Sequence, residues 1–388
     1  MKKALAMLLA VVMVLALCAC GTTATETATA TETATEAAPA AEVSDAKEDL
    51  VGIILPTKEE SRWLNDQKYF EQYFEGYNYE ILFSQNSSAT ERTNVETFIS
   101  KGAKIIVLCA YDAEAAASAV NEAKEEGITV ISYDRLIMGT DKLDYYVTFD
   151  SCSVGQAQAE YLIEQAGDEK GINLYMYSGA LTDNNSVLFF EGAWKALQPY
   201  IADGTFVVRN CDKAIELMDK NELTRDEMVS IMQTIDSEWN MEHCKTLAES
   251  NLTAAGAEGK GKVFVLGPAD DDCCRALSDA FLGDADVDAE TFRITGADGV
   301  EASVQYIIDG KQSMTVYKDT QALVKGTLAI VEALAAGETP VTDTTYNNDA
   351  MDVPTIQADV VTVTADNIAE VFFEAGVYDG SKFTGWEK

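Results

Sequence analysis

The stretch KIIVLCAYDAEAAASAVNEAKEEGITVISY, residues 104–133, decides the fold class. Its two apolar runs, at residues 104–109 and 129–133, have the length and the β-branched content of buried strands. The segment between them, residues 113–126, has the pattern of a helix, and Gly127 stands where a helix C-cap is expected. A helix between two such strands predicts a parallel β-α-β unit.

The same alternation continues on both sides of this unit. Further strands are predicted at residues 50–55, 79–84, 173–178, 206–209, 263–266 and 292–295. Further helices are predicted at residues 61–76, 89–101, 152–166, 187–200, 227–251 and 273–282. Two such series without a Gly/Pro-rich linker predict an α/β protein of two lobes, each a parallel sheet flanked by helices, joined by crossing strands.

Composition and charge exclude several classes of function. The 388 residues include 28 Lys+Arg and 65 Asp+Glu, a formal net charge of -37. So much negative charge repels phosphate backbones, and we therefore expect no nucleic-acid partner. The single histidine, His243, argues against a His-based catalytic triad and against a multi-His metal site. We predict a protein that is not an enzyme and has no cofactor and no metal.

The N-terminus has the pattern of an export signal. Met1-Lys2-Lys3 precedes an apolar run at residues 4–17, which is too short to span a bilayer. Leu17-Cys18-Ala19-Cys20 is typical of a bacterial lipoprotein signal, so we predict a signal peptide at residues 1–19 and lipidation of Cys20. The alternative is a plain signal peptide with incidental cysteines. Residues 20–49, rich in Thr, Ala and Glu, are predicted to be a tether, with the protein outside the cytoplasm and anchored to the membrane only by lipid.

The remaining cysteines and one acidic turn leave questions open. Six cysteines follow the tether: Cys109, Cys152, Cys211, Cys244, Cys273 and Cys274. They form no CxxC pair and no regular disulfide framework, so their pairing stays open. Residues 284–288 resemble the start of a calcium loop, but Ala289 replaces the turn glycine. A solvated acidic turn is the favoured interpretation.

Polar side chains follow the predicted strands. They include Ser61-Arg62-Trp63, Asp112, Asp134-Arg135, Asp183-Asn184-Asn185, Asp270, Asp298 and Lys318-Asp319. Ligands of open α/β sheets bind outside the carboxyl ends of the strands, where these residues stand. Arg and Lys donate hydrogen bonds, carboxylates and amides bind vicinal hydroxyls, and aromatic faces cover sugar C–H groups. This set predicts a site for an uncharged sugar.

The sequence resembles the bacterial periplasmic sugar-binding proteins of the ribose/galactose/xylose type, most closely the xylose-binding and multiple-monosaccharide-binding branch. The resemblance covers residues 50–380. It is carried by the order and spacing of Ser61-Arg62-Trp63, Lys101-Gly102-Ala103-Lys104, Tyr133-Asp134-Arg135-Leu136-Ile137, Asp144-Tyr145-Tyr146, Phe149-Asp150, Asp183-Asn184-Asn185, Leu197-Gln198-Pro199-Tyr200, Thr315-Val316-Tyr317-Lys318 and Asp352-Val353-Pro354.

The resemblance implies a periplasmic-binding-protein type I fold. It implies an N-lobe of residues 50–150 plus about 319–347 and a C-lobe of residues 151–318 plus about 350–388. The implied sugar-binding residues are Arg62, Trp63, Asp112, Asp134, Arg135, Asn185, Asp298 and Lys318. The sequence departs from the family pattern at two positions, because Ala297 and Ala269 stand where the family usually has larger residues. The loss of these side chains bears on which sugar is preferred.

Structural interpretations compete with several of these roles. Asp112 and Asp134 could be helix N-caps, while Asp150 and Asp183 are expected to be structural. Asp270 is expected to supply N-terminal charge to the helix that follows. Trp194 and Trp239 are expected in the core or at the rim, and His243 is expected to be a surface histidine or one with its hydrogen bonds satisfied, not a catalyst.

The function that we expect is a substrate-binding lipoprotein of an ABC sugar importer. It would capture a xylose-, glucose- or galactose-like monosaccharide between its lobes and deliver it to the permease, with a chemoreceptor as a further partner. The alternatives are a signalling receptor for a sugar or a furanose-like autoinducer and, less favoured, a carboxylate-based glycosidase. The sequence does not name the sugar.

Overall fold

A computed structural model describes residues 47–386 of the chain. The predictions for the signal peptide, for Cys20 and for the tether up to residue 46 lie outside the described residues. Within residues 47–386, none of the helices combines the length and the apolar character needed to cross a membrane.

The N-lobe is built on a seven-stranded sheet. Its strands are β1 (Val51–Leu55), β2 (Tyr79–Phe83), β3 (Ile105–Leu108), β4 (Thr129–Tyr133), β5 (Tyr145–Phe149), β12 (Thr344–Asn347) and β13 (Asp352–Ala358), in the order β12-β13-β5-β4-β3-β1-β2. All neighbours pair in parallel except β12 and β13. Its helices are α1 (Ser61–Tyr73), α2 (Ser88–Ser100), α3 (Ala116–Glu125) and α11 (Thr320–Ala335).

The C-lobe contains two sheets. The parallel sheet has the order β7-β6-β8-β9 and consists of β6 (Ile172–Met176), β7 (Phe206–Val208), β8 (Val263–Leu266) and β9 (Arg293–Ile294). The second sheet, of order β10-β11-β14, consists of β10 (Ala297–Asp298), β11 (Met314–Lys318) and β14 (Val360–Thr364). The helices are α4 (Ser151–Ala166), α5 (Asn184–Ala202), α6 (Asp212–Glu216), α7 (Arg225–Met232), α8 (Met241–Ala255), α9 (Asp271–Leu282) and α10 (Glu301–Ile308).

The first strand shows why the N-lobe sheet is covered on both faces. Val51, Ile53 and Leu55 belong to the core that includes Phe70 of α1, whereas Ile54 belongs to the opposite core. Alternate residues of a strand face opposite sides, so a wholly apolar strand needs helices on both. The prediction of an α/β protein with helix-flanked, mostly parallel sheets is confirmed.

Three connections between the lobes cross within the described residues. They join β5 to α4, β11 to α11 and β13 to β14, and each contains one aspartate: Asp150, Asp319 or Asp359. Asp150 accepts a hydrogen bond from the backbone N–H of Ser153, as expected for a structural cap.

Two sequence-based boundaries are wrong. The strand β13 pairs with β5, so the chain returns to the C-lobe after Ala358 and not near residue 350. The alternating pattern of β13 is compatible with the sheet of either lobe. Only its pairing with β5 shows that it belongs to the N-lobe. The helix predicted over residues 227–251 is two helices, α7 and α8, separated by residues 233–240, where Asp236 makes a parallel bridge to Ser178.

Candidate functional site

One pocket lies between the lobes and brings together seven of the eight predicted ligand-binding residues. Both lobes contribute to it, and its lining residues are Glu60, Arg62, Trp63, Asp134, Arg135, Asp183, Asn185, Phe189, Trp239, Ala269, Asp270, Asp298 and Lys318. They stand at the carboxyl ends of strands and the first turns of helices, as the topology of open α/β sheets requires.

Asp112 is the predicted residue that does not line this pocket. Its carboxylate accepts hydrogen bonds from the backbone N–H groups of Glu114 and Ala115, at 3.0 and 2.8 Å. It therefore stabilises the turn that leads into α3, which is the structural role considered as an alternative. The structure thus places Asp112 outside the pocket, which corrects its prediction as a sugar-binding residue.

Arg62 is the centre of the ionic network in the pocket. Its Nε lies 2.7 Å from Asp66, its Nη2 2.8 Å from Asp134, and its Nη1 3.5 Å from Asp298 of the C-lobe. The side chain is buried, so these pairs are little screened by water. Burial alone raises the pKa of Asp134, but Arg62 and Lys318 outweigh burial, and the pKa of Asp134 lies below its usual value. This carboxylate is therefore charged and available as an acceptor.

Further contacts join the lobes around the pocket. Arg135 Nε lies 3.0 Å from Asp183, and the Asn185 side-chain amide donates to the Asp134 carbonyl at 2.8 Å. At the rim, Asp272 accepts hydrogen bonds from the backbone N–H and the hydroxyl of Ser61, at 2.8 and 3.2 Å. These pairs can form only when the lobes are together, so the structure is the closed arrangement.

Aromatic side chains border the polar groups. The guanidinium carbons of Arg62 and Arg135 lie 4.9 and 5.0 Å from the centre of the Trp63 ring, which are cation–π distances. On the C-lobe side, Trp239 meets Phe189 edge-on, with ring centroids 6.5 Å apart. The pocket thus combines flat apolar faces with hydrogen-bonding groups.

Backbone strain is concentrated at this pocket. Among its lining residues, Asp134 (φ 60°), Trp239 (φ 53°), Ala269 (φ 63°) and Asp298 (φ 98°) have positive φ angles. Residues other than glycine adopt such angles at a cost of about 1–2 kcal/mol each. Strain of this kind is found where function fixes a local conformation. At Asp134, Trp239 and Asp298 it sets the direction of a charged or aromatic side chain that lines the pocket.

Six lining residues were not among the eight predicted sugar-binding residues: Glu60, Asp183, Phe189, Trp239, Ala269 and Asp270. Asp183 and Asp270 do cap helices, accepting from the N–H groups of Asn185 and Cys273, but their carboxylates also reach the pocket. Asp183 therefore has the structural role expected for it, as the N-cap of α5, and in addition lines the pocket. A signal was present for Asp270, because it follows the buried strand β8.

A family model described as "Periplasmic binding protein domain" matches residues 51–339. The chain belongs to this family. It is 33% identical over 341 residues to the multiple sugar-binding periplasmic receptor ChvE of Rhizobium radiobacter, covering 86% of this chain and 92% of that protein. The resemblance and the type I fold predicted from the sequence are thereby confirmed, and membership implies a location outside the cytoplasm.

Solved structures of the family superimpose on this chain. A carbohydrate transporter solute-binding protein from Chloroflexus aurantiacus, in complex with D-glucose, has a TM-score of 0.84 and 51% identity, covering 87% of this chain and 98% of that chain. An ABC transporter solute-binding protein from Clostridium phytofermentans, with bound β-D-glucose, has a TM-score of 0.76 and 27% identity, covering 87% and 100%.

Proposed function

We propose that this chain is the substrate-binding protein of an ABC sugar importer and that it closes its lobes around one monosaccharide, with D-glucose as the first candidate. The observation that carries the proposal is the pocket itself. Arg62, Asp134, Asp298 and Lys318 form one buried ionic network that joins the lobes, with Trp63 beside it. Such alternating donors and acceptors fit the hydroxyl groups of a neutral sugar.

The ligand contacts follow from the chemistry of these side chains. Arg62, Arg135 and Lys318 would donate to sugar oxygens, while Asp134 and Asp298 would accept from hydroxyls and Asn185 would do both. Trp63 would cover one face of the ring. The choice of glucose is supported by the glucose complex of the 51% identical protein from Chloroflexus aurantiacus. Binding needs no covalent step, so we propose a binding protein and not an enzyme.

A thermal-shift screen tests this function. The mature protein would be melted with and without D-glucose, D-galactose, D-xylose, L-arabinose, D-ribose and L-fucose. A ligand that binds only the folded state increases the free energy of unfolding by RT ln(1 + [L]/Kd), which is about 4 kcal/mol at a thousandfold excess over Kd. The melting midpoint rises as a result. We expect at least one hexose to raise the midpoint by several degrees. A non-sugar ligand that did so while every sugar failed would contradict the proposal.

The same fold could serve a signalling receptor for a sugar or a furanose-like autoinducer. That alternative shares the binding step and differs only in the partner, a chemoreceptor in place of a permease. The import role is preferred because relatives at 27–51% identity carry transporter names. A glycosidase is less favoured, because the solved relatives named above are solute-binding proteins of transporters.

We further propose that Cys20 is lipidated and holds the protein at the outer face of the cytoplasmic membrane, close to the permease. The support is the sequence Leu17-Cys18-Ala19-Cys20 after a short apolar run. A Cys20→Ala variant is expected to lose labelling by a radioactive fatty acid and to leave the membrane fraction, whereas Cys18→Ala keeps both. Equal labelling of the two variants would contradict lipidation at Cys20.

A further inference from the structure

The pocket contains more carboxyl groups than cations. Its lining includes Glu60, Asp134, Asp183, Asp270 and Asp298 against Arg62, Arg135 and Lys318. Three carboxylates each have a close cation: Asp134–Arg62 at 2.8 Å, Asp183–Arg135 at 3.0 Å and Asp298–Lys318 at 2.6 Å. Two carboxyl groups, those of Glu60 and Asp270, therefore have no cation of their own among residues 47–386.

Glu60 occupies the residue before α1 and is turned into the pocket. It is 8% exposed, and its Oε2 accepts a hydrogen bond from the Trp63 indole at 2.8 Å. The nearest cation, Arg135, lies 3.9 Å away and is closer to Asp183. The indole thus fixes one oxygen of Glu60, and the other oxygen is the one available for a ligand.

Charged groups from both lobes face Glu60. Arg135, which follows β4, favours its ionised form; Asp183 at the start of α5, Asp298 in β10 and Asp270 before α9 all oppose it. The opposing three belong to the C-lobe, so they approach Glu60 only when the lobes close. Closure thus removes Glu60 from water and places it among like charges, which favours its neutral form.

We propose that Glu60 is a ligand-binding residue and that it contacts the sugar as a neutral acid, donating its proton in a hydrogen bond to a sugar oxygen. The proton comes from solvent when the lobes close, so sugar binding takes up a proton. This inference rests on the proposed sugar-binding function. Burial, the largest cause, raises the pKa of Glu60 from 4.5 to about 7, against the lowering effects of Arg135 and the Trp63 hydrogen bond.

The sign of the pH dependence follows from this shift. Opening the lobes takes the C-lobe aspartates away from Glu60, so its pKa in the open protein is expected closer to the ordinary value of 4.5 than in the closed protein, where it is about 7. Below the ordinary value both states are protonated and the affinity is highest. Between the two values, closure requires a proton, so affinity falls as pH rises, by up to about tenfold for each pH unit. Above pH 7, Glu60 is ionised in both states and causes no further change of affinity with pH.

Calorimetric titration of the mature protein with D-glucose, or with the best sugar of the screen, tests the proposal at pH 5.5, 6.5 and 7.5. We expect the Kd to rise at least fivefold over this range. The binding heat at pH 6.5 should change with the ionisation enthalpy of the buffer, in the sense of proton uptake. Glu60→Gln, a neutral donor of the same shape, should make the profile shallower and bind more tightly than the wild type at pH 7.5; the slope that remains belongs to Asp270, whose pKa is also raised by burial. Glu60→Ala should lose the hydrogen bond to the sugar and bind more weakly than Glu60→Gln at every pH.

The matched control is Glu91→Gln. Glu91 is also buried in the N-lobe, and burial likewise raises its pKa to about 7, but it accepts from Ser84 and the Tyr111 N–H and does not line the pocket. This variant should keep the wild-type profile. A profile that is flat in the wild type, or equally steep in Glu60→Gln, overturns the inference while sugar binding stands. Absence of sugar binding at every pH overturns both proposals.

Discussion

Arg62→Ala is expected to abolish measurable sugar binding and to destabilise the protein. The substitution removes the cation shared by Asp66, Asp134 and Asp298, three carboxylates that are buried. Removing one partner of a buried ion pair costs about 3–5 kcal/mol, because the remaining charge is left uncompensated. The loss of a donor to the ligand adds to this, so we expect affinity to fall more than a hundredfold. Calorimetry and urea unfolding measure the two effects.

Two further variants separate the effects of charge and geometry. Arg62→Lys keeps the positive charge but lacks the planar guanidinium with which arginine reaches three carboxylates. We expect this variant to be more stable than Arg62→Ala but to bind sugar only weakly. Arg92→Ala is the control, because Arg92 is 53% exposed and pairs with Glu96 and Glu122 at the surface of the N-lobe. Surface pairs contribute about 0–1 kcal/mol, so this variant should bind and unfold like the wild type. Arg62→Ala that bound sugar normally would contradict the site.

Gly155→Ala is expected to cause the largest loss of stability away from the pocket. Gly155 of α4 packs directly on α5, and a Cβ atom there would lie 1.8 Å from the Phe189 carbonyl oxygen. The contact is reciprocal, because a Cβ at Gly192 of α5 would lie 2.0 Å from the Cys152 carbonyl oxygen. Backbone atoms cannot move aside as a side chain can, so the helices must separate. We expect the free energy of unfolding to fall by about 3 kcal/mol or more.

The same variant should also weaken sugar binding, because α5 carries Asn185 and Phe189 into the pocket. Gly326→Ala in α11 is the matched control. Its Cβ would come no closer than 3.2 Å, and the neighbours are the side chains of Ile356 and Val147. Alanine is favoured over glycine in a helix, so this variant should change the free energy of unfolding by less than about 1 kcal/mol. Equal effects of the two substitutions would contradict the close packing of α4 and α5.

The alternation of strands and helices could be read from the sequence because local composition determines it. A run such as residues 105–108 is apolar on both faces, and this is possible only in a sheet covered by helices on both sides. The polar residues that follow such strands could also be predicted, because the end of each apolar run is visible in the local sequence. Arg62 and Asp134 meet because the parallel strands of the N-lobe sheet place their carboxyl ends at one edge, and Asp298 joins them from the C-lobe because the lobes are closed.

The errors concern features that distant residues decide. Asp112 and Asp134 both follow a strand, and only the structure distinguishes the turn made by Asp112 from the ionic network of Asp134. Trp239 lies within an apparent helical pattern, but the bridge of Asp236 to Ser178 interrupts the helix there. Glu60 gave no sequence signal of its own, because its role depends on aspartates from the other lobe.

The most direct test of sugar capture between the lobes is a calorimetric titration of the mature wild-type protein with D-glucose at pH 6, repeated with Arg62→Ala. The pocket predicts binding of one sugar per chain in the wild type and none measurable in the variant. Absence of heat with glucose and with every other monosaccharide of the screen, from a protein that is folded by circular dichroism, would contradict the account.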